Sequence, residues 1–93
     1  MNYRLRFKEQ ALKEWLKLSE HLREQFKRKL QERLHNPHVP ASRLSGSANR
    51  YKVKLKSAGY RLVYEVRDAT FVVVVIAVGK RERGSVYKTA ASR

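Results

Sequence analysis

The run Phe71–Val78, eight consecutive apolar residues, restricts the fold more than any other feature of this chain. It is far short of the roughly 20 residues a helix needs to cross a bilayer. Read as a strand, it has no polar face, so it belongs in the middle of a sheet, covered by other elements rather than at an edge. Everything else in the sequence has to supply neighbours and a cover for it.

The neighbours are legible upstream. Tyr51, Val53 and Leu55 alternate with Lys52, Lys54 and Lys56, the period of a strand with one buried face. Ser57-Ala58-Gly59 makes a tight turn into a second strand, Tyr60 to Arg67, and Asp68-Ala69-Thr70 turns again into the apolar run, which Gly79 ends. At the other end of the chain Tyr3, Leu5 and Phe7 alternate with Arg4, Arg6 and Lys8, predicting a further strand over Asn2–Lys8.

From Glu9 the period changes to that of a helix. Ala11, Leu12, Trp15, Leu16 and Leu18 form an apolar stripe ending at Ser19. Ser19 then caps a second helix, with Glu20 at its positive end and Leu22, Phe26, Leu30 and Leu34 spaced four apart along it. Asn36-Pro37-His38-Val39-Pro40 stops that helix, and a polar loop leads to the lysine-alternating strand. After Gly79, Lys80-Arg81-Glu82-Arg83 opens a short segment with Val86 and Tyr87, expected to hold one helical turn or two. The order βααβββ(α) predicts an α+β fold, a small antiparallel sheet packed by an N-terminal helical hairpin, and 93 residues suit one domain spanning 1–93.

Charge supplies the functional signal. Lys and Arg number 22 against 8 Asp and Glu, a net charge of +14, which implies a polyanionic partner. The excess is +5 through Asn36 and +9 from Pro37 onward, which assigns binding to the C-terminal part. Cysteine is absent, so disulfides and thiolate metal sites are excluded; with no apolar leader or span, the expected location is the cytoplasm, away from any membrane.

Arg43, Arg50, Lys52, Lys54, Lys56 and Arg61 share a stretch that holds no Asp or Glu from His35 to Tyr64. Lys52, Lys54 and Lys56 fall on one strand face, and the tight hairpin brings Arg61 beside them. The alternative is a solvated polar face; the missing counter-acids favour a site for a phosphate backbone. A second group is Lys80, Arg81 and Arg83 with Tyr87, where the buried strand exits. Taken alone, those arginines read more simply as surface charges and Tyr87 as a core plug, although a tyrosine there also suits base stacking.

Walker, dinucleotide and HExxH motifs are missing, and no metal or cofactor is expected. His21, His35 and His38 lie on the second helix or the loop after it, away from the basic strands, so a paired-histidine nuclease is unsupported. RNA, however, carries its own nucleophile in the ribose 2′-OH. A cation cluster lowers a lysine pKa by repulsion, giving a neutral lysine base, while arginine suits transition-state charge.

At Ala11-Leu12-Lys13-Glu14-Trp15, Tyr51-Lys52-Val53-Lys54-Leu55, Gly59-Tyr60-Arg61-Leu62-Val63-Tyr64 and Val78-Gly79-Lys80-Arg81-Glu82-Arg83 with Val86-Tyr87, the sequence resembles the RelE family of toxins. The resemblance implies the toxin of a type II toxin–antitoxin system, a metal-independent endoribonuclease that cuts mRNA in the A site of the 70S ribosome. It implies catalytic roles for Lys52, Lys54, Arg61, Arg81 and Tyr87: general base and support from the lysines, phosphate binding by Arg61, general acid or charge stabilisation by Arg81, nucleotide stacking by Tyr87. Arg43, Arg50, Lys56, Lys80 and Arg83 are candidate RNA contacts. The implied partners are a RelB-like antitoxin and, only as the toxin–antitoxin complex, operator DNA. The alternatives are a ParE-like inhibitor of DNA gyrase with the same fold and a non-catalytic RNA-binding module.

Overall fold

The structure, a computed structural model, describes residues 2–82 and 84–93. The elements are β1 (Arg4–Phe7), α1 (Glu9–Leu16), α2 (Glu20–His35), β2 (Arg50–Leu55), β3 (Tyr60–Arg67), β4 (Val72–Lys80) and α3 (Ser85–Ala91). One four-stranded sheet has the order β1-β4-β3-β2. The apolar strand β4 is interior, as its lack of a polar face demands.

The sequence pattern and the observed elements agree closely in the meander, where β2, β3 and β4 are antiparallel. β1 departs from the expected antiparallel sheet, because it pairs parallel to β4, Arg4 against Val72 through Phe7 against Val75. The helical hairpin is the reason: it is long enough to carry the chain back across one face, the crossover that parallel neighbours need. Phe71 lies before β4 rather than in it, in the left-handed region at φ 54°, with its ring edge against Tyr3. β4 in turn continues through Gly79, opposite Arg61, to Lys80, opposite Tyr60.

The two faces of the sheet are buried by different helices. On one, Ala11, Trp15, Leu18, Phe26 and Leu30 of the hairpin pack on Tyr51, Val53, Leu55, Leu62, Tyr64, Val73 and Val75. Ser19 caps α2 as its sequence position predicts, its Oγ accepting the Leu22 amide at 3.2 Å. Leu12 and Leu16 fall outside this core, 41% and 63% exposed, although the helical stripe includes them; α1 is eight residues long and only its Ala11–Trp15 edge meets the sheet.

The second face is covered by α3, a seven-residue helix that matches the one or two helical turns expected after Gly79. Val86 and Ala90 pack on Val63, Val72, Val74, Ile76 and Ala77. A register shift between Val63 and Tyr64 inserts Ile76 as an extra residue of β4, so Ile76 and Ala77 both join this face. Gly79 admits α3 closely, since a Cβ there would lie 3.2 Å from Val86 Cγ2.

β1 stops at Phe7, leaving the β4 edge beyond Val75 without a strand partner. Side chains complete it. The Glu14 carboxylate accepts the Val78 amide at 3.1 Å, and the Arg93 guanidinium donates to Ile76 O at 2.9 Å and to Glu14 Oε1 at 2.8 Å. Residues from α1 and from just after α3 thereby meet on the edge of the central strand.

Candidate nucleic-acid interface

Strand alternation determines where the cations go. Tyr51, Val53 and Leu55 enter the hairpin core, so Lys52 and Lys54 emerge on the α3 side, level with Val63 and Arg61 across the β2–β3 ladder. Gly59, at φ +71°, closes the turn between these strands. Its amide donates to Leu55 O at 2.9 Å, and its carbonyl accepts the Arg81 amide. That last bond ties the segment after β4 to the β2–β3 hairpin and brings Arg81 to the same end of the sheet.

The outcome is a cleft of about 450 Å³ walled by Lys52, Lys54, Lys56, Arg61, Lys80, Arg81 and Tyr87. All five residues expected to be catalytic meet there, with Lys56 and Lys80 of the expected RNA contacts. Lys54 is directly opposite Arg61 in the ladder. Repulsion from Lys52, loss of hydration, and repulsion from Arg61, Lys56 and Arg81 hold the Lys54 ammonium below the ordinary lysine pKa of 10.5. Lys54 therefore reaches the neutral, proton-accepting form more readily than a solvated lysine.

Arg61 is only 6% exposed, a buried guanidinium without a carboxylate partner among the described residues. Its Nη1 donates to Tyr60 O at 2.9 Å, and the rest of the group opens onto the cleft. An unpaired, desolvated cation is costly unless an anion arrives to share it, which suits a phosphate site. Tyr87 packs against the α3-side core and also forms the cleft wall, with Lys52 Nζ 5.9 Å from its ring centre. The ammonium over one side of the ring helps hold its orientation.

Two expected contacts are elsewhere. The Arg50 guanidinium binds Glu65 at 3.0 Å and Ala90 O at 2.6 Å, joining β2 and β3 to α3, and it does not line the cleft. Arg43 forms an isolated bridge with Tyr51 and does not line the cleft. Arg83 lies outside the described residues. The sequence reading also missed Ser85, which completes the wall at the start of α3; only a firm α3 would have revealed it.

Among the described residues no group of His, Asp and Glu is arranged to hold a metal ion. His38 bonds to the Tyr51 hydroxyl and to Asp68, at 2.9 and 2.8 Å, on the opposite side of β2 from Lys52 and Lys54. The cleft can thus bind an oxyanion, remove a proton with a lysine and stabilise charge with arginines, all without histidine.

A family model described as ParE toxin of type II toxin-antitoxin system, parDE, matches residues 5–84. The chain is 55% identical over 93 residues to the mRNA interferase toxin RelE of Escherichia coli, covering 100% of this chain and 98% of that protein. Its fold is similar to that of a substituted variant of E. coli toxin RelE in the free state, with TM-score 0.92 and 53% identity over 100% of this chain and 98% of the other. It is also similar to a chain of the intact E. coli RelBE toxin-antitoxin complex, TM-score 0.83 and 56% identity, covering 87% of this chain and 99% of that one.

Proposed function

Because the chain belongs to the RelE toxins within the ParE toxin family of type II toxin–antitoxin systems, we propose that it is an mRNA interferase, an endoribonuclease that halts translation by cutting mRNA in the ribosomal A site. The observation that carries this reading is the cleft in which Lys54, its pKa lowered, opposes Arg61 beside Lys52, Arg81 and Tyr87. Residues 1–93 act as one domain in the cytoplasm, where the ribosomal substrate is.

The reaction follows from the groups present. Neutral Lys54 takes the proton of the ribose 2′-OH as that oxygen attacks the adjacent phosphorus. The 2′-O–P bond forms, the P–O5′ bond breaks in line, and the products are a 2′,3′-cyclic phosphate and a 5′-hydroxyl. Arg61 and Lys52 hold the phosphoryl oxygens as negative charge develops, the setting in which fixed cations contribute most. Arg81 stabilises or protonates the departing 5′-oxygen, and Tyr87 stacks on a base to keep attacking and leaving oxygens aligned. Lys56 and Lys80 bind flanking phosphates. A RelB-like antitoxin restrains the toxin, and operator DNA is bound only by the pair.

Primer extension on a defined mRNA tests this, in programmed ribosomes with an empty A site and on the same RNA without ribosomes. Cuts confined to the A-site codon are expected, lost in Arg61→Ala and Arg81→Ala. Uncut mRNA in both samples, together with altered DNA supercoiling in arrested cells, would replace this reading with gyrase inhibition.

A further inference from the structure

A second cationic groove, of about 480 Å³, lies on the α3 side of the sheet at the end remote from the cleft. Its floor is Val72 and Val74 of β4, and its walls carry Arg4, Arg6, Lys8 and Arg67. The ladders explain the convergence. Arg4 and Arg6 stand beside Val72 and Val74 on one flank, and Arg67 stands beside Val72 on the other. Two strand spacings separate Arg4 from Arg67 across the floor, roughly 10 Å.

Charges on an edge strand commonly serve to prevent pairing with another chain, and β1 is an edge. That role does not account for this arrangement. All the β1 cations lie on one face, and they are joined there by Arg67 from β3, an interior strand. Among the described residues neither Arg4 nor Arg6 has an acidic partner, whereas Arg67 shares Glu65 with Arg50. The floor is aliphatic, and although Phe7 also lines the groove, its ring packs on Trp15 with the core of the other face, the ring centres 5.3 Å apart. The groove is suited to a phosphate backbone and not to base recognition.

It is also remote from the reaction. Arg67 pairs with Val72 and Arg61 with Gly79, seven residues apart on β4, which is roughly 23 Å along a strand. A polyanion bound in the groove is therefore a stretch other than the scissile one. We propose that it is a docking site for the phosphate backbone of structured ribosomal RNA, which orients the cleft on the A-site codon. This rests on the reading of the chain as a toxin that works on the ribosome, where RNA duplexes flank the mRNA.

The test compares the wild-type protein with an Arg4→Gln/Arg6→Gln variant, which leaves Lys8 and Arg67 in place. Binding to vacant 70S ribosomes is measured over a range of salt concentrations, with single-turnover cleavage on programmed ribosomes. The variant should need roughly tenfold more ribosomes for half-saturation, and its log–log salt slope should be shallower by about 2, near 0.9 for each lost phosphate contact. Its saturated cleavage rate and its melting temperature should match wild type. Equal ribosome affinity and equal slope in the two proteins would overturn the docking site while leaving the interferase reading intact. Wild-type protein that neither binds nor cuts would overturn the interferase reading itself. Loss of operator-duplex binding by the toxin–antitoxin pair, with ribosome affinity unchanged, would overturn the assignment to RNA.

Discussion

Lys54 shows how one residue's chemistry is produced by its neighbours. Its depressed pKa comes first from Lys52 and then from lost hydration and three more cations. If neutral Lys54 is the base, Lys52→Gln should raise its pKa and move the acid limb of the pH–rate profile upward, apart from any loss of maximal rate. Lys54→Met should slow cleavage by roughly 10²–10⁴-fold, the usual contribution of a general base. The same variant should melt at a higher temperature than wild type. A cation whose pKa is lower folded than unfolded opposes folding while protonated in both states, and this opposition fades as pH rises through the folded value towards 10.5. The advantage of Lys54→Met should therefore be full near neutral pH and shrink in alkali; a melting temperature below wild type at pH 7 would contradict it. The lysines were legible in the sequence because a period of two leaves no choice of face. The place of Arg50 needed one further step: the register that sets Lys54 against Arg61 also sets Arg50 against Glu65, and the guanidinium pairs with that carboxylate.

At the scale of elements, the hairpin and the meander follow from period, caps and turns, whereas the short α3 was expected only as a turn or two, and its length and its role as a cover needed tertiary information. Seven residues with Val86 and Ala90 four apart carry too little pattern to fix the extent of a helix. The signal lay in β4, whose two apolar faces require two covers, and the hairpin is only one of them. Burial sorts the helical leucines and aromatics in a way periodicity alone did not. Phe26, wholly buried under the sheet, should cost about 3–5 kcal/mol when changed to Ala. Leu16→Ala should stay within about 0.5 kcal/mol, as at other exposed positions. Equal losses in urea denaturation would mean that α1 packs differently from the structure. Gly79→Ala probes the other interface. Its new Cβ, 3.2 Å from Val86 Cγ2, pushes on the first turn of α3, which carries Tyr87. Cleavage should fall by at least tenfold, about 1.4 kcal/mol in the barrier, with a melting temperature changed by only a few degrees. Full activity in Gly79→Ala would show that the cleft tolerates movement of α3.

Across the whole molecule, Glu14 and Glu65 join elements, whereas the bases of the cleft have no acidic partner among the described residues. Glu65 ties β3 to β2 through Arg50, and Arg50 reaches on to Ala90 of α3. Burial pulls the Glu65 carboxyl upward, but its bonds to Arg67 and Arg50 outweigh this and hold it below the ordinary glutamate range. Glu14 has the longer reach. It joins α1, the open edge of β4 and Arg93, and Lys8 Nζ adds a bond to Arg93 O at 3.1 Å. Because Arg93 follows α3 directly, this junction fixes one end of the helix whose other end forms the cleft wall. Glu14→Gln removes the charge that holds Arg93 while keeping a side chain able to accept the Val78 amide. Glu14→Ala removes both. In hydrogen exchange the Val78 amide should be protected in wild type, nearly so in Glu14→Gln, and fast in Glu14→Ala. Cleavage should fall in both variants, since Tyr87 loses its anchor in each, and stability should drop by about 1–3 kcal/mol where the buried amide is left without an acceptor. If cleavage instead tracks the Val78 amide, falling in Glu14→Ala alone, the edge of β4 and not the tether through Arg93 holds the cleft in shape.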